Sequence, residues 1–115
     1  MHELSIANNL LEAVQLEARN HPEARFTRLG VRIGELTAVD PEALTFCFQA
    51  LVGGTAMETL AMEIEQVPRR QRCQQCGCEF RVVDYDVTCP TCGRADTECI
   101  AGTELELVYL EMEGP

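Results

Sequence analysis

Two short cysteine pairs constrain this chain more than any other feature. Cys73-Gln74-Gln75-Cys76-Gly77 and Cys89-Pro90-Thr91-Cys92-Gly93 are two CxxCG motifs, separated by residues 78–88. A CxxC turn directs two thiolates at one centre, and the glycine after each pair permits a left-handed backbone beneath a metal. Two such turns supply four soft ligands in a tetrahedron, the closed arrangement that structural zinc favours. The pattern therefore predicts a zinc site on Cys73, Cys76, Cys89 and Cys92.

The surroundings of these pairs favour a structural role for the metal. Few large apolar residues occur in this segment, so we expect the metal to contribute most of its stability, about 10 kcal/mol or more. Iron in a rubredoxin-like centre also fits the spacing. A thiol–disulfide oxidoreductase fits less well, because a redox CxxC pair normally opens a helix, which Gly77 and Gly93 do not suggest. With four protein ligands the zinc has no open position for catalysis, which leaves a structural, sensor or docking role.

The remaining cysteines are not needed for this site. The chain has seven cysteines, an odd number, and no export signal, so metal ligation explains them better than a disulfide framework. Cys78 and Cys99 are expected to be spare thiols, although either could exchange into the zinc shell. Cys47 lies on the apolar stripe of a predicted helix, where packing explains it.

Charge and hydropathy exclude several classes of protein. The formal net charge is −10, which argues against non-specific nucleic-acid binding, although Arg69, Arg70, Arg72 and Arg81 form a small basic patch. The apolar runs are too short to span a membrane. The first residues lack the basic region of a signal peptide. We therefore expect a cytoplasmic protein.

Hydrophobic periodicity predicts a small α+β fold. Helices are expected over 3–20 and from Pro41 to Gly53, the second with Asp40 as its N-cap. Strands are expected over 25–33, 59–67 and 103–110. The predicted class is a three-stranded, mostly antiparallel sheet with two helices, plus an inserted zinc-ribbon (rubredoxin-like) domain with four cysteines. The predicted domains are 1–67 with 101–115, which form the discontinuous helix–sheet part, and 68–100, which would bind zinc.

Charged residues on the outward face of these strands have complementary signs. Arg28 and Arg32 on the first strand are expected to form pairs with glutamates of the other two strands. The candidate partners are Glu63, Glu65, Glu104 and Glu106.

The chain starts with Met1-His2-Glu3, which offers a second type of metal site. A free α-amine, a backbone amide nitrogen and the His2 imidazole can close fused chelate rings around one ion. Nitrogen donors in a planar or tetragonal set suit Ni(II) or Cu(II) better than zinc. Glu3 and a nearby carboxylate such as Asp40 could complete a more octahedral shell. A histidine near a terminus is by itself a weak signal.

Taken together, these motifs resemble the HypA/HybF family of nickel metallochaperones, which assist maturation of [NiFe]-hydrogenase. The resemblance covers essentially the whole chain. It is carried by Met1-His2-Glu3-Leu4-Ser5, Val31-Arg32-Ile33-Gly34-Glu35-Leu36, the Asp40-Pro41 helix start with Phe46 and Phe48, and the two CxxC pairs. It implies nickel at Met1, His2 and Glu3, with Asp40 as a further candidate ligand, and structural zinc on the four cysteines.

The resemblance also implies partners and a task. The protein would pass nickel, as cargo, to the hydrogenase large subunit together with a HypB-type GTPase, or serve urease accessory proteins, and a homodimer is one option. No enzyme is expected, since no Ser/His/Asp set is present. Two alternatives stay open at this point. They are a zinc-ribbon interaction module acting on nucleic acid or a transcription complex, and a rubredoxin-like electron carrier.

Overall fold

The computed structural model describes residues 3–114, which form two helices and six strands. Helix α1 spans Glu3–Asn20 and helix α2 spans Pro41–Val52, and a short 3-10 helix covers Glu35–Thr37. The strands are β1 (Arg25–Gly34), β2 (Ala61–Val67), β3 (Arg70–Cys73), β4 (Glu79–Arg81), β5 (Thr97–Ala101) and β6 (Leu105–Glu113). They make two three-stranded sheets, with orders β2-β1-β6 and β4-β3-β5.

The chain divides into two compact units. The helix–sheet unit comprises the described residues of Met1–Arg32, Val39–Glu65 and Glu106–Pro115. The four-cysteine unit comprises Ile33–Ala38 and Gln66–Leu105. The domain bounds expected from the sequence, 1–67 with 101–115 and 68–100, stay a prediction.

Two amphipathic helices supply much of the core of the helix–sheet unit. Helix α1 packs against helix α2. Residues at spacings of three and four are buried on each helix, as the sequence predicts, together with the inward residues of β1. The largest fully buried side chains of this unit are Phe48, Leu29, Leu44, Val14, Val31 and Val52.

Helix α2 begins and ends where its sequence predicts. The Asp40 carboxylate accepts hydrogen bonds from the backbone N–H groups of Glu42 (3.0 Å) and Ala43 (3.5 Å), and Pro41 occupies the first turn. Gly53 follows the last turn, and its N–H donates to the Gln49 carbonyl. Asp40 therefore satisfies helix donors that would otherwise lack partners.

Ion pairs connect the outer faces of the three strands. Arg28 pairs with Glu63 (2.7 Å) and more loosely with Glu111 (3.8 Å). Arg32 pairs with Glu65 (2.9 Å) and Glu106 (3.0 Å), so three of the four predicted glutamate partners are confirmed. The fourth predicted partner was Glu104. Its carboxylate instead accepts a hydrogen bond from the Gly102 N–H.

The same pairs reveal the strand directions. As the residue numbers of the arginines on β1 increase, the residue numbers of their glutamate partners on β6 decrease, so these two strands are antiparallel. The partners on β2 ascend with β1, which indicates a parallel pair. A parallel pair is expected where a helix connects two strands of one sheet.

The second sheet belongs to the four-cysteine unit. Strand β3 lies between β4 and β5 and is antiparallel to both, with Gln71 opposite Phe80 on one side and Cys99 on the other. The predicted class is confirmed in its two helices, its three-stranded sheet and its inserted domain of four cysteines. The sheet is mixed, with one antiparallel and one parallel pair, where a mostly antiparallel sheet was predicted. The three short strands of the inserted domain were not predicted from the sequence.

A close backbone contact joins residues 33–38 to the end of the insert. The Gly34 N–H donates to the Glu104 carbonyl, and the Leu36 N–H donates to the Gly102 carbonyl, each at 2.7 Å. A Cβ atom on Gly34 would overlap the carbonyl group of Gly102. Gly102 itself has φ of 115°, which glycine alone adopts readily. Both glycines are thus required by the backbone path.

None of the helices in the described part of the chain is long and apolar enough to cross a membrane.

Candidate metal centre

The structure brings all four predicted cysteines to one point. Their sulfur atoms all lie within 4.8 Å of one another. The shortest contacts join one CxxC pair to the other, with Cys73 Sγ 3.5 Å from Cys92 Sγ and Cys76 Sγ 3.6 Å from Cys89 Sγ. Cys73 and Cys89 are buried, whereas Cys76 and Cys92 are exposed. The four sulfurs therefore surround a single small space.

The two CxxCG turns have equivalent backbones. In the first, the Gly77 N–H donates to the Cys73 carbonyl at 3.0 Å; in the second, the Gly93 N–H donates to the Cys89 carbonyl at 2.9 Å. Gly77 and Gly93 have φ of 75° and 77°, so both adopt the left-handed conformation that the sequence predicts. This symmetry directs two sulfurs from each turn at the shared centre.

Backbone donors stabilise the thiolate of the first cysteine in each turn. The N–H groups of Cys92 and Thr91 donate to Cys89 and lower its pKa to about 6, against the opposing effect of burial. The N–H groups of Cys76 and Gln75 lower the pKa of Cys73 in the same way. A hydrogen bond to the charged form of a group favours that form. These two sulfurs are therefore the more acidic members of the site.

The second cysteine of each turn behaves in the opposite way. The N–H of Cys78 lowers the pKa of Cys76, but desolvation and the neighbouring sulfurs outweigh it and raise this pKa to about 12. For Cys92, the N–H of Arg94 lowers the pKa, but the neighbouring Cys73 sulfur and desolvation raise it overall. Like charges this close oppose further ionisation. A cation at the centre would remove that opposition.

The donor set fits a soft tetrahedral cation. Four thiol sulfurs converge, and no carboxylate or imidazole of the described residues joins the cluster. Zinc prefers such a closed set of four cysteines for structural sites. The zinc ion would be held by Cys73, Cys76, Cys89 and Cys92. It would cross-link the two CxxCG turns.

Metal binding should release fewer protons than the number of its thiol ligands. At pH 7.5 Cys89 is already ionised and Cys73 is acidified, whereas Cys76 and Cys92 hold their protons until the metal displaces them. We expect about two to three protons per zinc ion, fewer than the four thiol ligands, and affinity that rises with pH, because protons and metal compete for the same sulfurs. Below about pH 6 the protonation of Cys89 should make the dependence steeper.

Calorimetric titration in buffers of different ionisation enthalpy measures this number directly. Release of about four protons at pH 7.5 would contradict the unequal acidities.

The three remaining cysteines lie outside the cluster. Cys78 Sγ accepts a hydrogen bond from the Thr91 hydroxyl at 3.3 Å, so it touches the second CxxC turn without joining the four sulfurs. Cys99 is exposed, and its thiol donates to the Ala101 carbonyl. Cys47 is partly buried on helix α2. The contact between Thr91 and Cys78 had no signal in the sequence, since it links two separate turns.

Of the predicted nickel ligands at the N-terminus, Glu3 is described and is the first residue of helix α1. Met1 and His2 fall outside the described residues. The Glu3 carboxylate accepts a hydrogen bond from the Asp40 N–H at 3.1 Å, so it reaches the N-terminus of helix α2. One oxygen of the Asp40 carboxylate, Oδ1, accepts both capping bonds there. The structure therefore places Glu3 and Asp40 side by side.

The fold and the cysteine cluster define a small metal-binding protein that combines a helix–sheet unit with a rubredoxin-like unit of four cysteines. Residues 1–112 match the family described as hydrogenase/urease nickel incorporation, metallochaperone, hypA. The chain belongs to this family of hydrogenase maturation factors.

Individual relatives support the assignment. The chain is 39% identical over 113 residues to the hydrogenase maturation factor HypA of Geobacter sulfurreducens, covering 98% of this chain and 100% of that protein. It is 38% identical to the factor of the same name from Chlorobaculum tepidum, with the same coverage.

Two solved structures share the fold. A solution structure of a HypA protein superposes with a TM-score of 0.71 at 24% identity and covers 98% of this chain and 97% of that one. The solution structure of the Ni metallochaperone HypA from Helicobacter pylori gives a TM-score of 0.62, also at 24% identity, with 97% of both chains covered.

Proposed function

We propose that this chain binds one Ni(II) ion at its N-terminus and delivers it during [NiFe]-hydrogenase maturation. The observation that carries the proposal is the family match over residues 1–112, which includes the Met1-His2-Glu3 segment. The ligands would be the Met1 α-amine, backbone nitrogen, the His2 imidazole and Glu3. The protein would act as a carrier, with no catalytic step of its own.

The chemistry of these ligands suits a transient cargo. Nitrogen donors in fused chelate rings favour Ni(II) in a tetragonal geometry, while a carboxylate such as Glu3 can complete a larger shell. The described contact between Glu3 and the Asp40 N–H supports a site at the junction of helices α1 and α2. Few side chains take part, so the shell can rearrange during transfer. The Asp40 N–H would position the Glu3 carboxylate at this site.

The two proposed sites select different metals because their ligands differ in hardness. Zinc would occupy Cys73, Cys76, Cys89 and Cys92, since four thiolates select a soft tetrahedral ion. The role of the zinc ion would be structural. It would also act as a sensor if its set of cysteine ligands changed. Nickel would stay on nitrogen and oxygen.

Maturation requires proteins that supply and receive the ion. A HypB-type GTPase and the hydrogenase large subunit are the proposed partners, with urease accessory proteins as alternative clients and a homodimer as one assembly. No nucleic acid or membrane is needed for this task. We place the protein in the cytoplasm, where thiols such as its seven free cysteines stay reduced.

Nickel stoichiometry tests the proposed site. Untagged protein with its Met1 amine intact should bind about one nickel ion, and His2→Ala should lose that ion, because the chelate rings need the imidazole. A variant with extra residues before Met1 should lose it too, since its amine is displaced. Atomic emission and calorimetry measure both metals in each sample.

Zinc content is the internal control in this experiment. Both variants should keep one zinc ion, because the four cysteines are untouched. Unchanged nickel binding in both would remove the basis for an N-terminal site.

A further inference from the structure

The sheet of the four-cysteine unit places two arginines directly opposite each other. Arg70 on β3 is the partner of Arg81 on β4, and the residue on its other side, on β5, is Ala101. Neither guanidinium forms an ion pair with a carboxylate of residues 3–114. Like charges directly opposite each other on neighbouring strands are destabilising. The sheet therefore carries an uncompensated pair of positive charges at this point.

The next row of the same sheet face is fully compensated. Arg72 lies between Glu79 on β4 and Glu98 on β5 and forms ion pairs with both, at 3.2 Å and 3.6 Å. Side chains two residues apart on a strand share one face, and the burial pattern of β3 agrees with this. The chain thus surrounds one arginine of this face with its own carboxylates and supplies none to Arg70 and Arg81.

The anion that would compensate this pair is a carboxylate from another molecule. A carboxylate between two guanidiniums accepts charge-assisted hydrogen bonds from both, as Glu79 and Glu98 show with Arg72 in the reverse arrangement. Acidic residues outnumber basic ones in this chain by 19 to 9, and the formal net charge is −10. A dense polyanion such as nucleic acid would be repelled by this charge, whereas one or two carboxylates of a protein segment would not.

Two exposed apolar side chains follow Arg81 along the chain. Val83 is 64% exposed and Tyr85 is 88% exposed, the largest exposed fraction among the exposed large apolar residues of the structure. Val82, between Arg81 and Val83, is buried. Because extended chain alternates its side chains, Arg81 and Val83 point to the same side. The arginine pair therefore has an apolar neighbour that faces solvent.

An unfavourable turn holds Tyr85 in its exposed position. The Asp86 N–H donates to the Val83 carbonyl at 3.1 Å, and these two residues form a bridge, so Asp84 and Tyr85 are the central residues of a hairpin turn. Their φ angles are 53° and 61°, as a type I′ turn requires. Glycine is preferred at the second central position, and a bulky residue is an outlier there. Such strain concentrates at functional sites.

We propose that Arg70, Arg81, Val83 and Tyr85 form a docking surface for a partner protein whose binding segment carries acidic residues beside an apolar side chain. One carboxylate of the segment bridges the two guanidiniums, and the apolar side chain packs against Val83 and Tyr85. The exposed Asp84 repels a carboxylate at the tip of the turn, so the acidic residues of the segment lie at the arginine end. All these residues belong to the four-cysteine unit, and the surface does not depend on nickel at the N-terminus.

A synthetic peptide tests the surface on the zinc-loaded, nickel-free full chain. The probe is a fluorescent peptide of about eight residues, with three glutamates followed by leucine and phenylalanine. We expect a dissociation constant below about 100 μM at low ionic strength by fluorescence anisotropy. Replacing the three glutamates by glutamine should weaken binding at least about tenfold. Amide NMR shifts should change at residues 70, 81, 83 and 85.

Neutralising one arginine separates the pair from the overall charge of the protein. Arg81→Gln should weaken binding of the acidic peptide at least about tenfold, because the carboxylate loses one of its two partners. The thermal midpoint of the free protein should not fall, since the substitution removes a repulsion. Arg19→Gln changes the net charge equally at an exposed position of helix α1, and should alter binding by less than about twofold.

Glycine at position 85 separates the use of the tyrosine from the stability of the turn. Tyr85→Gly should raise the thermal midpoint, because glycine suits this turn position, and should weaken peptide binding at least about fivefold. Phe46→Ala removes another exposed aromatic side chain, 72% exposed on helix α2, and should leave binding within about twofold of the wild type.

Four results would overturn the proposal. They are equal binding of the glutamate and glutamine peptides, equal effects of Arg81→Gln and Arg19→Gln, unaltered binding by Tyr85→Gly, and no binding of the acidic peptide near about 1 mM. Inorganic phosphate and a short DNA oligonucleotide test the choice of occupant. Tighter binding of either one than of the acidic peptide would assign the arginine pair to phosphate and contradict docking of a protein segment.

Discussion

Replacement of Cys89 by serine should abolish tight zinc binding and unfold the four-cysteine unit. Cys89 is among the few buried residues of that unit, together with Cys73, Val82, Ile33 and Gln71. A core this small cannot offset the conformational entropy of the segment, and a structural zinc site supplies about 10 kcal/mol or more. NMR spectra should therefore lose the dispersed signals of residues 66–105 and keep those of helices α1 and α2.

Cys99→Ser provides the matched control. Its thiol is exposed and lies outside the four-sulfur cluster, so zinc content and dispersion should equal those of the wild type. Treatment with a strong chelator should reproduce the spectrum of Cys89→Ser. If Cys89→Ser kept one equivalent of zinc and a folded insert, the assignment of the site to these sulfurs would be wrong.

Alanine at position 34 should destabilise the protein by about 3 kcal/mol or more, at the upper end of overpacking effects. The added methyl group would overlap the backbone carbonyl of Gly102 and approach the Glu104 nitrogen. Backbone atoms cannot rotate away as a side chain does, so the hydrogen bonds from Gly34 to Glu104 and from Leu36 to Gly102 must break. Urea unfolding and amide exchange at these two N–H groups measure the effect.

Gly30→Ala tests whether backbone overlap is the cause. This glycine lies in the same strand, but its Cβ would meet the ring of Tyr109, a side chain that is 37% exposed, rather than backbone atoms. The expected loss is smaller, about 1 kcal/mol. If the two variants lost equal stability, the effect at position 34 would be a general one of replacing a glycine in this strand. It would then not depend on overlap with the Gly102 backbone.

Much of the helix–sheet unit follows from local sequence. Helix α1 spans the predicted residues because its apolar residues recur with helical spacing, and helix α2 begins at Asp40-Pro41 because these residues cap a helix well. Strand β1 ends one residue beyond its predicted end. The predicted pairing of Arg28 and Arg32 with glutamates holds for three of the four partners.

Other features depend on contacts that are distant in sequence. Strands β3, β4 and β5 are short and carry little apolar alternation, because the cysteine cluster rather than a hydrophobic face organises them. Strand β6 runs to Glu113, beyond its predicted end at residue 110, where Arg25 on β1 pairs with Glu113. The roles of Gly34 and Gly102 also required the three-dimensional path of the backbone.

The four-cysteine site was also predictable only in part. Residue spacing alone predicts which four cysteines come together, because each CxxCG turn is a local structure. The unequal acidity of Cys89 and Cys76 was not predictable, since it arises from backbone N–H groups and from sulfurs of the opposite turn.

We propose that two metals occupy two chemically distinct sites of this protein, with nickel on the N-terminal segment. X-ray absorption at the nickel and zinc edges of one sample, loaded with one equivalent of each metal, tests it most directly. We predict only nitrogen and oxygen around nickel, and four sulfurs at about 2.3 Å around zinc. Sulfur scattering at the nickel edge, with zinc displaced from its four-sulfur environment, would instead place nickel on the cysteine cluster and rule out the N-terminal site.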